Sequence, residues 1–469
     1  MKKIILLLFI QITMYNCIYS QVFDVDTIQY NGNTNKYINI IIMGDGYTST
    51  QQATFISDAI NLNNHLFLQV PFSNYKNYFN VFAIKVISTD SGARHPNTAI
   101  DCSSASPLVP VSNPNTYLGC TFDYNGMHRL VVPTNNLNIA SVLANNFPNY
   151  DQLLIISNSP YYGGSGGNYA TSTTNSSSPE ISAHEIGHSF SYLADEYYAG
   201  DYYAGEKVNM TKETDPALIK WKNWMSYNGI GIYQHCCVEN SALWYKPHTN
   251  CKMQYLGNPY CSVCTQAIVE KIHDLVNPIV NYTPTNSTTI NTSNQYIDLK
   301  LTELMKPIPN TLKIEWKLDA STISLNTDSV KIDQNSLTNG SHIVSVNVTD
   351  TSTLVRIDNH AAIHLSTVTW TINKTATNIK LTSTDNQFSF SVFPNPATNI
   401  FNISVQTEKQ TNLETKIVSM NGKTVRKTDK MLIEGKYTNS IDIEDLSIGA
   451  YFVIIKLGDT VHTETLIKD

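Results

Sequence analysis

The chain has 469 residues, 42 % apolar, 10 % aromatic and only 15 % charged, against about 25 % charged in an average soluble domain. That length and composition describe ordered chain with room for several domains, solvated by Asn, Ser, Thr and Tyr. A net charge of −7 provides no electrostatic case for a nucleic-acid partner or an anionic membrane surface, and both are excluded as expectations.

Met1-Lys2-Lys3, an apolar stretch over residues 4–12 and the small-ended Ile18-Tyr19-Ser20 read as a secretory signal over residues 1–20. No later segment reaches the ~18 apolar residues of a membrane span, so the expectation is an exported chain without a transmembrane segment, secreted or held at the cell surface. Disulfides are permitted there. Cys102 and Cys120 bracket a Ser/Pro-rich loop and are expected to staple it. Cys236, Cys237, Cys251, Cys261 and Cys264 crowd around a Cys-x-x-Cys, with disulfides the first expectation and a structural zinc site the second.

Residues 38–43, Ile-Asn-Ile-Ile-Ile-Met, form a buried-strand run that ends in the turn Gly44-Asp45-Gly46, and residues 51–68 carry helical spacing through Phe55, Ala59, Leu62 and Leu66. Residues 81–87 and 152–156 are further strands. Gly163-Gly164-Ser165-Gly166-Gly167 precedes an edge strand expected to line a cleft and pair with an extended peptide. Then comes the strongest signal, His184-Glu185-Ile186-Gly187-His188, in a helix with Ser178 as the expected N-cap, Pro179 at its first position and Glu180 complementing the dipole.

Four helical residues turn the chain by about 400°, so His184 and His188 project from one face and can bind one Zn²⁺. Glu185 stands beside that ion, where it can take a proton from an attacking water and pass it to the leaving amine. A catalytic zinc needs a third protein ligand. Asp195 is the expected one, seven positions after His188, with Glu196 as the alternative. Two Met-x-Tyr segments, Met225-Ser226-Tyr227 and Met253-Gln254-Tyr255, compete for a turn beneath the metal. Met253 is favoured because the chain then runs through Cys261 and Cys264 into an amphipathic helix over residues 267–275. Tyr255 would then assist the oxyanion.

After Pro278 the pattern changes to alternating apolar positions in Thr/Asn-rich segments, as in residues 312–318 and 344–348. This predicts a β-sandwich over residues 279–378, a linker near residues 375–386 and a last β-rich unit over residues 386–469.

These motifs resemble the IgA-peptidase family of zinc metallopeptidases, which are secreted zincins. The resemblance spans about residues 38–275 and rests on Gly44-Asp45-Gly46-Tyr47, Pro71-Phe72, Asn80-Val81, Tyr162 to Gly167, His184 to Phe190 and Ala194-Asp195-Glu196-Tyr197. It implies an α+β zincin-like catalytic domain over residues 21–278, with a twisted mixed sheet, a backing helix and an active-site helix. Zinc would sit on His184 and His188, with Glu185 as base. Ser191 stands where related zincins carry a helix-breaking Gly. Trp316 to Asp319, Val348-Thr349-Asp350 and Val355 to Asp358 look like the sandwich that accompanies this peptidase.

Val392-Phe393-Pro394-Asn395-Pro396-Ala397, Ser419 to Lys423, Leu446 to Val453 and Thr465 to Lys468 resemble the C-terminal sorting domain of the Bacteroidota type IX secretion system. This implies a second β-sandwich read by that export machinery. The expected function is an exported zinc endopeptidase acting on extracellular proteins, among them host immunoglobulin or glycoproteins. The rival readings are a surface adhesin or glycan-binding protein on a non-catalytic zincin scaffold, and a zinc amidase acting on peptidoglycan.

Overall fold

The unbroken β-branched run at Ile38 leaves no face suited to water, and such a strand belongs in the middle of a parallel sheet covered on both sides. It lies there in the computed structural model, which describes residues 22–236, 239–291, 294–375 and 388–469. The secretory signal, Cys237 and the linker from residue 376 lie outside the described residues. The chain divides into two compact units, Met1–Thr375 and Ala376–Asp469.

The first unit opens with β1 (Val25–Gln29), β2 (Ile38–Asp45), α1 (Gln52–Leu66), β3 (Phe79–Ile84), α2 (Asn136–Asn146), β4 (Gln152–Ser157), β5 (Gly164–Ser165), β6 (Ala170–Ser172) and α3 (Ser178–Ser191). The six strands form one sheet of order β1-β3-β2-β4-β6-β5. The four inner strands are parallel, and each edge strand runs antiparallel to its neighbour.

Successive side chains point to opposite faces of a strand. Ile40, Ile42, Val81 and Leu154 therefore meet Phe55, Ala59 and Leu62 of α1 and Ala183, Ile186 and Phe190 of α3. Ile41, Met43, Phe82 and Leu153 meet Ile139, Val142 and Leu143 of α2 on the other face. Helix α2 carries no clear helical signal, because its apolar positions are scattered among Asn residues.

Between β3 and α2 runs a long connection whose only helical pieces are single turns at Cys102–Ser104 and Tyr124–Gly126. Asp45, fully buried at the end of β2, anchors it. Its carboxylate accepts the backbone N–H of Leu118 and of Cys120 at 2.7 Å each and the Thr116 hydroxyl at 2.8 Å. Gly46, at φ +74°, lies so close to the Gly92 carbonyl that a Cβ has no room. Gly44-Asp45-Gly46 is thus a turn and a loop anchor.

Beyond α3 an irregular stretch holds the two-residue strands β7 (Tyr233–Gln234) and β8 (Tyr245–Lys246) and leads to α4 (Ser262–Leu275). Val263, Ile268 and Ile272 of α4 complete the core under α1 and α3. Next come β9 (Ile279–Thr283), β10 (Ile290–Asn291), β11 (Tyr296–Leu304), β12 (Leu312–Leu318), β13 (Ser321–Leu325), β14 (Ser329–Asp333), β15 (Gly340–Asp350), a single helical turn α5 (His360–Ile363) and β16 (Leu365–Lys374). They form two sheets, β10-β16-β15-β12-β13 and β14-β11-β9, that share a core in which the Trp316 and Trp370 rings stack 5.7 Å apart.

The sequence sets this segment apart at residue 279, but buried polar contacts tie it to the turn ahead of β3 and to α4. The Tyr78 hydroxyl donates to the Met305 carbonyl at 2.7 Å, and Asp350 takes the Tyr75 hydroxyl at 2.5 Å and faces His273 Nε2 at 2.9 Å.

The second unit carries β17 (Phe388–Phe393), β18 (Ile400–Ser419), β19 (Thr424–Lys427), β20 (Met431–Asp442), β21 (Gly449–Leu457) and β22 (Thr460–Lys468) in one curled sheet. The 20-residue β18 pairs with β17 along its first half, with β20 from Ile400 to Leu413 across a bulge, and with β19 and β21 along its second half. Phe401, Ile403, Val405, Ile417, Val453 and Ile455 alternate onto its buried face. No helix among the described residues is long and apolar enough to cross a membrane.

Candidate active site

Helix α3 starts one residue earlier than expected: Ser177 is the N-cap, and Ser178, Pro179 and Glu180 make the first turn. It ends at Tyr192, which takes the left-handed conformation at φ 57° and donates its N–H to the His188 carbonyl at 3.1 Å, while the Leu193 N–H donates to the Gly187 carbonyl at 3.1 Å. A 60 % exposed tyrosine thus performs the chain reversal for which glycine is the usual residue, and the backbone swings back so that Leu193 and Asp195 face α3.

Three side chains converge there. His184 Nε2 lies 3.1 Å from His188 Nε2, and Asp195 Oδ1 lies 3.0 Å from the first and 3.2 Å from the second. His184 Nδ1 faces the Lys252 carbonyl at 3.0 Å and His188 Nδ1 faces the Leu193 carbonyl at 2.7 Å. Carbonyls only accept, so each Nδ1 carries its ring proton and each Nε2 turns a lone pair inward. Two lone pairs and a carboxylate oxygen packed this closely need a positive charge between them. In the protein alone that charge is a proton: burial pulls His188 down, but Asp195 more than offsets this and pushes it up to about 9. A divalent cation fits the same three donors.

Glu185 lies beside them, its carboxylate 4.0 Å from His188 Nε2. Burial lifts it above the usual carboxylate range against the pull of His184 and His188.

Residues 27–232 match the family model described as IgA Peptidase M64. Residues 391–469 match the secretion system C-terminal sorting domain, so both resemblances carried by the motifs hold, and together they describe an exported peptidase. No curated protein matches the chain. Among solved structures, the chain is similar at 10 % identity to dimeric latent PorU from Porphyromonas gingivalis, over 40 % of this chain and 19 % of that one, with a TM-score of 0.17. Fibronectin(III)-like modules of Clostridium thermocellum CbhA align at 11 % identity over 40 % of this chain and 93 % of theirs, with a TM-score of 0.15. Parabacteroides merdae β-glucuronidase aligns at 8 % identity over 49 % and 28 %, with a TM-score of 0.15. Scores this low carry no argument about fold or function.

His184 and Glu185 open onto a cleft of about 500 Å³ lined also by Arg129, Leu130, Tyr162, Tyr197 and Tyr255. That volume suits a few side chains of a substrate. Tyr255 stands on the lip, 54 % exposed. Arg129 and Tyr197 escaped the sequence reading. Arg129 lies over the Tyr197 ring at 5.9 Å, and that ring lies 6.1 Å from His184. The adjacency of Tyr197 to Asp195-Glu196 was the available signal, whereas Arg129 had none.

The glycine run brings β5 against α3: a Cβ on Gly166 would sit 2.7 Å from His188 Cβ and 2.9 Å from Glu185 Oε2. The edge expected to receive a peptide is already occupied at Gly164, whose N–H donates to the Arg129 carbonyl at 3.1 Å and whose carbonyl accepts from Val131 at 3.3 Å. The long loop, not substrate, covers that part of β5.

Met253 lies beneath the site. It is fully buried, a Cβ on Gly187 would come within 2.8 Å of its sulfur, and its carbonyl accepts the Glu196 N–H at 2.8 Å. Met225 packs elsewhere, at the edge of the main core. The buried Lys252 ammonium pairs with Glu180 at 2.5 Å and so ties the Met253 turn to the start of α3. Glu196 turns away from the histidines and into the interior, where Cys264 Sγ lies 3.3 Å from its Oε1 and 3.7 Å from Cys251 Sγ.

The disulfide expectations fail for the residues seen here. Cys102, Cys120, Cys251, Cys261 and Cys264 are thiols. Cys102 faces Asp123 at 3.3 Å, while Cys120 is packed in the core against Asp45 and Ser157, so the two cannot staple the loop.

Proposed function

We propose that the chain is an exported zinc endopeptidase with a zincin-like catalytic domain, in which His184, His188 and Asp195 hold the ion and Glu185 is the general base. The observation that carries this reading is the convergence of His184 Nε2, His188 Nε2 and Asp195 Oδ1 within 3.2 Å of one another beside an open cleft that His184 and Glu185 line. Zinc bound there supplies a Lewis acid that makes water more acidic and polarises a peptide carbonyl.

The chain's own groups do the rest. Glu185 accepts the proton of the attacking water as the new C–O bond forms, then delivers it to the amine nitrogen as the C–N bond breaks. The Lys252 and Leu193 carbonyls hold both imidazoles in the ligating tautomer. Tyr255, on the cleft lip, assists the developing oxyanion. The sorting domain hands the product to the type IX machinery after a signal peptide has taken it across the inner membrane. Substrates are extracellular proteins, with host immunoglobulin and glycoproteins among the candidates.

The test is cleavage profiling of the full chain on a complex peptide library, with and without chelator. Chelator-sensitive internal cuts are expected. An absence of cuts from metal-replete protein, together with glycan binding, would return the adhesin reading.

A further inference from the structure

We propose that His95, Cys102, Asp123 and His128 form a second, closed zinc site that pins the long loop between β3 and α2 and, through it, the wall of the cleft. The four come from separate points of residues 88–131. Connections of that length without secondary structure of their own are uncommon in compact domains and need something to hold them. Asp45 secures the stretch around residues 116–120. The stretch that reaches the cleft is secured by this cluster.

All four side chains are buried, with exposures of 1 %, 7 %, 6 % and 6 %. Asp123 Oδ1 is the hub: His128 Nδ1 lies 2.9 Å from it, Cys102 Sγ 3.3 Å and His95 Nε2 3.5 Å, and Cys102 Sγ lies 3.8 Å from His95 Nε2. Four ligands placed tetrahedrally at Zn–N, Zn–O and Zn–S bond lengths stand roughly 3.3–3.8 Å apart. The donor atoms all lie within 4.8 Å of one another.

Their surroundings aim them inward. His95 Nδ1 donates to the Pro110 carbonyl at 3.0 Å, which leaves the Nε2 lone pair facing the carboxylate. Asp123 Oδ2 accepts the Thr98 N–H at 2.8 Å, which leaves Oδ1 for the centre. A lone pair and an anionic oxygen facing each other in a dry pocket repel unless a cation lies between them.

A disulfide is no alternative, because Cys120 lies elsewhere. Neither is catalysis: four protein donors close the coordination shell and leave no position for water. The consequence lies one residue on. Arg129 follows His128, and Arg129 and Val131 pair with Gly164 of β5 to build the cleft wall. Only this last effect, on turnover, rests on the peptidase reading.

The test is anomalous diffraction at the zinc edge on crystals of the full chain grown with zinc, together with zinc per chain for two double variants. We expect density bonded to His95 Nε2, Cys102 Sγ, Asp123 Oδ1 and His128 Nδ1. Cys102→Ala/His128→Ala should lose one zinc per chain relative to wild type, independently of the one lost in His184→Ala/His188→Ala. Density at His184 and His188 with none in the loop would overturn this inference and leave the peptidase reading standing. Density in the loop alone would support it and sink the peptidase reading. Should the loop variant fail to fold, the wild-type map decides by itself.

Discussion

Gly166→Ala tests whether the contact of β5 with α3 sets the catalytic geometry. The added methyl would begin 2.7 Å from both His188 Cβ and Cδ2 and 2.9 Å from Glu185 Oε2. Carbon atoms settle at about 3.5 Å or more, so strand and helix must part by roughly 0.8 Å. His188 cannot yield alone, because its Nδ1 is held by the Leu193 carbonyl and its Nε2 by Asp195. The shift therefore falls on Glu185, on the ligand triad or on the edge strand. A misplacement of about 1 Å costs up to 10²-fold in rate, while overpacking costs about 1–3 kcal/mol of stability. Turnover of a peptide identified by profiling should fall 10- to 100-fold, with zinc content kept and Tm lowered by only a few degrees. Gly205→Ala, with nothing within 4 Å of the added carbon, should change neither. Gly166→Ala at wild-type kcat/KM would refute the reasoning.

Glu185→Gln should retain its zinc and fold yet lose about 10²–10⁴ of kcat; a near-native rate would remove Glu185 from the mechanism. Asp195→Asn should weaken zinc binding, whereas Glu196→Gln, facing Cys264 and Asn209, should leave the affinity of the α3 site unchanged; competition with a chelator measures both. Tyr255→Phe should lower kcat while KM stays constant, and a change confined to KM would make Tyr255 a substrate contact only. Acid should destabilise the first unit through His364, whose ring stacks on His273 at 4.4 Å and meets His360 at 4.8 Å. Burial and these two neighbours pull it from the usual 6.5 down to about 4, against Asp350. The unfolded chain then takes up a proton that the native state refuses, so this contribution is complete above pH 6.5 and is lost as pH falls towards 4. Urea unfolding across that range should show a shallower decline for His364→Phe, and an identical slope would exclude His364 as the cause.

What could be read from the sequence is what depends on local periodicity. The alternation of Ile40 to Met43 sends side chains to two faces, which makes β2 a central strand. Positions 184 and 188 share a helical face wherever the helix lies, so the histidine pair with Glu185 beside it was legible before any fold was known. The choice between Asp195 and Glu196 was not. Neighbouring residues in the non-helical segment after Tyr192 leave the backbone on different sides, and only the packing of that segment sends one carboxylate to the histidines and the other to the cysteines. Tertiary structure likewise separated Cys102 from Cys120, laid Arg129 across the edge of β5 and gathered His95, Cys102, Asp123 and His128. Those residues lie at intervals that match no period, and they meet because Asp45 and the sheet fix the course of the loop between them.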